Sequence, residues 1–249
     1  MRVAQDFMVE IPVLRFSDQI TKARQILRDD RFREVFIVDD AKKLLGYIDI
    51  TDGLRVIATK SNVTVESFIK DAPEVHATDL IEQVAQQIRK FNVDSAAVVN
   101  GQRHLKGGVL ISDLFPVIIS RNELSGTVAD YMSKKVVVVN ADATVQHIYN
   151  MIVESGFLAF PVENKKKLVG IISRRDLLRG GRVRAALSHS THTKISELMT
   201  KKVIIITPNE AISTAANLLV QYDISLLPVI EEQKIVGIVD RHDVLAGLR

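Results

Sequence analysis

Cysteine is absent from the chain, which excludes disulfides, thiolate metal sites and thiol nucleophiles together. Tryptophan is absent as well, and aromatic residues make up 5% of the sequence, too few for a surface that stacks bases between cations. No apolar run has the length to span a bilayer: residues 136–139 and 203–206 are far too short, and the opening MRVAQDFMVE has no apolar signal core. The net charge of +3 is small, its excess falls in the second half, and no polybasic arm carries it. The expectation is a soluble, cytoplasmic protein. With 47% hydrophobic and 25% charged residues over 249 positions, there is apolar material for the cores of two ordinary domains.

What is present is a repeated word. Gly46 to Asp52, Gly107 to Asp113, Gly170 to Asp176 and Gly237 to Asp243 each set a glycine six residues before an aspartate, with a short apolar run between them. The word reads as strand, turn and helix start, so the aspartate falls near a helix N-terminus. The outline around it recurs and is clearest in the last copy. There 203–206 reads as a β-branched strand, and Thr207-Pro208-Asn209-Glu210 has the form of a capping box with proline at the first helical position. Ile212, Ala215, Ala216 and Leu219 then form one helix face. Strands 226–230 and 235–239 follow around a polar turn, and a final helix starts near Asp243.

The third copy repeats this with strand 136–139 and a helix face of Val145, Ile148, Tyr149 and Ile152. The second has Ile81, Val84, Ala85 and Ile88, and the first has Ile20, Ala23 and Leu27 with Arg24 where an apolar residue would complete the stripe. The order predicted for every copy is β-α-β-β-α, an α/β (α+β) fold. Copies are expected at 1–60, 61–121, 122–180 and 194–249, with a linker at 181–193 and modules at 1–121 and 122–249. Units of this length are small domains rather than solenoid repeats.

These residues resemble the CBS domain, the module named after cystathionine β-synthase. The carriers are the fourfold Gly-to-Asp word, the openings Tyr131-Met132-Ser133 and Leu198-Met199-Thr200, and the strands Phe160-Pro161-Val162 and Leu227-Pro228-Val229. The resemblance covers nearly the whole chain. It implies copies paired into two disc-like Bateman modules, as in the γ subunit of AMP-activated kinase, with clefts that bind AMP, ADP, ATP or S-adenosylmethionine as regulatory ligand and no catalytic cofactor. It also implies that hydroxyls three residues and one residue before the aspartate meet phosphate. Each cleft is then walled by strands of the partner copy: Asp176 by 203–206 (Val203, Ile204) and Ser225, Leu226, Leu227; Asp243 by 136–139 (Val137, Val138) and Leu158, Ala159, Phe160.

Chemistry separates the four copies. A carboxylate at Asp52, Asp113, Asp176 or Asp243 can accept from both ribose hydroxyls, each bond contributing about 1.5–3 kcal/mol when desolvated. The alternative is that these acids only complement a helix dipole. Ser173 with Arg174 and Arg175 beside Asp176 makes the best phosphate candidate. Asp49 and Asp240 stand where the hydroxyl belongs in copies one and four, and a carboxylate about 4 Å from a phosphate charge costs roughly 4 kcal/mol at an effective dielectric of 20. Arg241 and His242 would have to offset that beside Asp243, whereas Asp52, with Thr51, would better suit a cationic or uncharged ligand such as S-adenosylmethionine or adenosine. Leu110 replaces the hydroxyl in copy two, where Ser112 beside Asp113 keeps the other. Unequal sites follow, fewer than four of them taking phosphate.

His189 and His192 lack a third metal ligand, so no metal site is expected. No catalytic triad, Walker loop or Rossmann word stands out. The reading is a non-enzymatic sensor of an adenosine-containing ligand that signals to an unknown protein partner, with a homodimer compatible with the pairing and no membrane role. Two rivals remain: a ligand-free oligomerisation scaffold, and a nucleic-acid regulator using the basic segment 179–184.

Overall fold

The structure is a computed structural model describing residues 1–28, 31–56, 61–121, 123–155, 157, 159–179 and 193–248. The chain divides into two units, Met1–Ser120 and Arg121–Arg249. In the first, β1 (Val13–Arg15) lies parallel to β2 (Glu34–Val38), which pairs antiparallel with β3 (Leu44–Asp49). The second copy repeats the pattern with β4 (Glu74–Val75), β5 (Ser95–Val99) and β6 (Leu105–Leu110). In the second unit β7 (Val139–Asn140), β8 (Ala159–Asn164) and β9 (Lys167–Ser173) do the same. The fourth copy keeps β10 (Leu226–Glu231) and β11 (Lys234–Asp240), and a single bridge from Ile206 to Val229 stands for its first strand.

The helices between these strands are α1 (Ile20–Ile26), α2 (Ile50–Arg55), α3 (Ile81–Phe91), α4 (Ile111–Arg121), α5 (Val128–Tyr131), α6 (Val145–Ser155), α7 (Arg174–Arg179), α8 (Ile212–Gln221) and α9 (Arg241–Ala246). The helix faces read from the 3.6-residue period are buried: Ile81, Val84, Ala85 and Ile88 on α3, Val145, Ile148, Tyr149 and Ile152 on α6, and Ile212, Ala215, Ala216 and Leu219 on α8. Arg24, the exception on α1, bonds from Nη1 to the Val56 carbonyl at 2.7 Å. No helix among the described residues is long and apolar enough to cross a membrane.

Two local expectations need correction. Residues 203–205 and 136–138 are not strands; their β-branched side chains favour extension, but no neighbouring strand pairs with them. The Thr207–Glu210 bonds do form, both Thr207 N and Oγ1 donating to Glu210 Oε1 at 3.0 Å, yet they close a turn and α8 begins at Ile212.

Each copy opens with a lead segment that lies on the other copy of its unit. Val9 pairs with Gly108, Lys70 with Tyr47, Ser133 with Ile238 and Thr200 with Ile171. This exchange explains the glycine of the repeated word. A Cβ on Gly107 would stand 2.7 Å from Met8 Cγ, one on Gly46 2.6 Å from Ile69 Cγ2, one on Gly170 2.5 Å from Met199 Sδ and one on Gly237 2.5 Å from Met132 Sδ. The glycine is the seat, and the lead-segment Met or Ile of the other copy is what sits in it. The core of the first unit is accordingly shared, with Phe36, Leu44 and Tyr47 of one copy packed with Val93, Ala97 and Val99 of the other.

Gly46→Ala is therefore expected to destabilise the first unit by about 3 kcal/mol, because the added methyl meets the Lys70 carbonyl as well as Ile69, and a backbone atom cannot swing aside. Gly101→Ala, where nothing lies within 4 Å, is the control and should unfold like the wild type. Urea denaturation followed by circular dichroism compares the two; equal midpoints would refute the seating argument.

Candidate functional site

The strand that ends each repeated word runs straight into a short helix, and the aspartate is that helix's third residue. On α7, Ser173 N and Ser173 Oγ both donate to Asp176 Oδ2 at 2.7 Å, while Asp176 N donates back to Ser173 Oγ at 3.3 Å. On α2, Asp49 N donates to Asp52 Oδ2 at 2.9 Å, and Asp49 Oδ1 accepts from Thr51 N and Asp52 N. On α9, Asp240 N donates to Asp243 Oδ2 at 3.0 Å and Asp243 N returns a bond to Asp240 Oδ1 at 2.9 Å. These are reciprocal capping boxes. The helix-end role set against ligand binding is thus occupied in three copies, on one carboxylate oxygen each. In copy two, with Leu110 before the helix, the bond recorded at Asp113 is a long one from Ser112 Oγ at 3.4 Å.

Beyond the cap the four acids part company. Asp52 is fully buried, and its carboxylate is closed by Lys70, whose Nζ lies 2.6 Å from Asp52 Oδ2 and 3.0 Å from Asp49 Oδ2. Arg55 Nη1 approaches the other oxygen at 3.4 Å. Burial first, then the charge of Asp49, pushes the Asp52 carboxyl above the usual range, with Lys70 pulling the other way. Asp52, expected to grip a sugar, presents no open face because the lead segment of copy two has inserted an ammonium there. Its neighbour Thr51 is also buried, with Oγ1 unpartnered.

In copy four the residue at the place of Lys70 is Ser133, since Ser133 pairs with Ile238 as Lys70 pairs with Tyr47. With no lysine there, burial and the adjacent Asp240 charge push Asp243 up to about 7. Arg241 Nη2 reaches Asp223 Oδ1 at 3.2 Å, on the loop before β10, and the charge of His242 acts against the rise at Asp243. Asp113 is half-buried and has Arg31 of copy one 4.0 Å away.

Asp176 differs from all three. It is half-buried, burial raises its carboxyl above the usual range, and Ser173 and Arg175 act against that rise. Arg174 is not aimed at the cleft alone, since its Nε donates to the Phe157 carbonyl at 2.8 Å.

The expected walls fare unevenly. Leu226, Leu227 and Phe160 are buried at 9%, 0% and 1% exposure, so they are core rather than open wall, Phe160 packing edge-on against Phe157. Ser225, Ala159, Val138 and Ile204 keep partial exposure and Val137 is exposed. Val203 lines a surface groove with Lys167, Leu168 and Ile205. Leu158, His189, His192, the side chain of Arg179 and the rest of the basic segment lie outside the described residues. Among the described residues no group of three or more potential ligands is placed to hold a metal.

Lys70 and Arg31 were missed from sequence. The signal for Lys70 was present: it follows Ile69 where Ser133 and Thr200 follow Met132 and Met199, and it faces one of the two copies with a doubled acid.

A copy of one small sheet and two helices, built twice in each unit with crossing lead segments and a capped aspartate, defines a protein of paired domain repeats. The CBS domain model matches residues 4–59, 128–181 and 195–249, and the chain belongs to that family. Residues 61–121 carry the same outline outside those matches. Protein MJ1225 of Methanocaldococcus jannaschii is 24% identical over 98% of this chain and 97% of its own length. Its crystal structure, described as that of a proposed archaeal homolog of g-AMPK, superposes with a TM-score of 0.81 at 21% identity, covering 98% of this chain and 99% of that one. A conserved protein of Pyrococcus horikoshii superposes with a TM-score of 0.68 at 21% identity over 98% and 99% of the two chains. The L-aspartate semialdehyde sulfurtransferase of Methanosarcina acetivorans is 32% identical over only 45% of this chain and 22% of the enzyme.

Proposed function

We propose that this chain is a non-enzymatic regulatory protein whose second unit binds an adenosine-containing ligand at Asp176 and reports its occupancy to a partner polypeptide. The observation that carries the proposal is the contrast between Asp176 and Asp52. Both are capped carboxylates at the same place in their copies, Asp52 fully buried and Asp176 half-buried, but Lys70 neutralises Asp52 whereas both bonds that Asp176 accepts end on Oδ2. A half-desolvated carboxylate left with a hydroxyl and one N–H suits two further neutral donors, and a ribose diol supplies them. Ser173, Arg174 and Arg175 then stand where a phosphate would extend. Asp240 beside Asp243 disfavours phosphate in copy four, so AMP, ADP or ATP belongs at Asp176 and an uncharged or cationic adenosine compound, S-adenosylmethionine included, at Asp243.

The first unit reads differently. Lys70 makes the Asp52 cleft self-filled, which favours a ligand-independent structural role for that half and so a part of the scaffold alternative.

Isothermal titration with AMP, ATP and S-adenosylmethionine tests the assignment. The Asp176→Ala variant should lose at least tenfold in affinity for AMP, matching one charge-assisted bond of about 1.5 kcal/mol or more, while Asp52→Asn should leave AMP affinity unchanged. Absence of heat with all three ligands would leave the scaffold reading standing.

A further inference from the structure

The crossing of the lead segments leaves a groove in each unit, away from the capped aspartates. In the second unit the groove has a volume of about 310 Å³; Leu168, Val169, Val203, Ile205 and Ile230 form its apolar surface and Lys167, Lys201 and Gln233 its polar groups, with no acid among its lining residues. Among the described residues neither ammonium reaches an acid. Ile205 is 48% exposed, the highest value for a large apolar side chain among the described residues apart from the terminal Met1. Lys167 opens β9 and Ser173 closes it, so the groove stands roughly 20 Å of strand from the Asp176 cap at about 3.3 Å per residue.

The first unit supplies a natural comparison. Its groove at the corresponding crossing is larger, about 810 Å³, and its lining carries four cations, Arg15 and Lys22 among them, against four acids including Glu10 and Asp39. The bridges fix the correspondence: Val9 pairs with Gly108 as Thr200 pairs with Ile171, so Glu10, the residue after Val9, occupies the place of Lys201. One architecture thus appears twice, with the charge at its lead segment reversed.

We propose that the groove of the second unit is a binding site for a free medium-chain aliphatic monocarboxylate, the chain lying along Leu168, Val203, Ile205 and Ile230 and the carboxylate set between Lys167 and Lys201. Exposed ion pairs contribute little by themselves, so the lysines select the head group and the aliphatic chain supplies the affinity. The first unit, with Glu10 at the lysine position and its lining charges balanced, lacks this preference for an anion. The groove shares Val203 and Ile205 with the stretch expected to wall the Asp176 cleft, but its lysines lie outside that cleft, so the lysine substitutions below test it separately.

The test is calorimetric titration of the full chain with hexanoate, octanoate and decanoate below their micellar concentrations, with octylamine and 1-octanol as head-group controls. Affinity should rise about fourfold per added methylene, the ratio equivalent to about 0.8 kcal/mol, until the groove is filled. Lys201→Glu, which installs the charge found in the first unit, and Lys167→Glu should each weaken octanoate at least tenfold with no change in thermal midpoint, because both side chains are exposed. Affinity independent of chain length, octylamine or octanol binding as tightly as octanoate, charge reversals without effect, or binding to anionic vesicles without binding to free octanoate would each overturn the proposal.

Discussion

Replacing Lys70 with methionine is expected to destabilise the first unit by about 3 kcal/mol at pH 7, the lower end of the range for leaving a buried charge unpaired, since Lys70 itself is partly exposed. Methionine keeps the aliphatic stem beside Tyr47 and removes only the cation. Two acids then remain, Asp52 fully buried and Asp49 adjoining it, each already bonded to the other's backbone N–H. Arg55, half-exposed and 3.4 Å from Asp52 Oδ1, relieves their repulsion only in part, and Asp52 is the one to take a proton, because burial and Asp49 already push its carboxyl upward. A folded-state value above the unfolded one means stability lost as pH rises, so the deficit of the variant should shrink toward pH 4 and be full at pH 7. Adding Asp52→Asn removes the second charge and should restore at least half of the loss. Urea denaturation of the two variants and the wild type at both pH values decides it; an equal deficit at pH 4 and pH 7, or no rescue in the double variant, would show that Lys70 acts through packing instead.

Lys70 also marks what the sequence conceals. Helix faces were readable because the residues that make them lie three and four apart, and the stripes on α3, α6 and α8 are buried as read. The Gly-to-Asp word was readable because it recurs, and its aspartate does stand in the first turn of a helix in each copy. The reason for its glycine was not readable, since Met8 touches Gly107 and Met199 touches Gly170 only after two copies have exchanged lead segments. The same exchange hid Lys70, and the pairing of copies hid Arg31 between α1 and β2, since the acids of both lie in another copy. Strand length failed for a related reason. A β-branched run such as 203–206 reports willingness to extend, but whether it pairs depends on a neighbour, and only Ile206 finds one. At the candidate site the positions of Ser173 and Asp176 were legible from spacing, whereas their bond to each other, the closure of Asp52 and the contact of Arg241 with Asp223 required the folded arrangement.

Glu34→Gln is expected to leave stability unchanged at pH 5 and to raise it by about 2 kcal/mol at pH 8. Glu34 and Ser95 open equivalent strands, β2 and β5, and they meet: Ser95 Oγ donates to Glu34 Oε2 at 2.7 Å and Asp94 N to Oε1 at 3.1 Å. Both oxygens are thus held by the second copy, with the side chain buried. Burial, then the charge of Asp94, pushes the Glu34 carboxyl up to about 7, even though Ser95, the Asp94 N–H and Arg33 oppose the rise. Between the unfolded value near 4.5 and about 7 the folded chain holds a proton that the unfolded chain has released, so stability falls as pH rises through that window and stays low above it. Glutamine keeps a carbonyl acceptor and does not titrate, and its amide can donate to the Ser95 hydroxyl as the protonated acid would. Asp243 in the second unit titrates in the same direction, so the quantity to read is the difference between wild type and variant, in which the Asp243 contribution cancels. Thermal midpoints at pH 5, 6, 7 and 8 should diverge progressively in favour of the variant; parallel curves would mean that Glu34 is ionised throughout and that Arg33, paired with Asp94 at 2.7 Å, neutralises the whole cluster. Divergence would make the joint between the first two copies pH-dependent near neutrality, through a carboxyl that both copies bury.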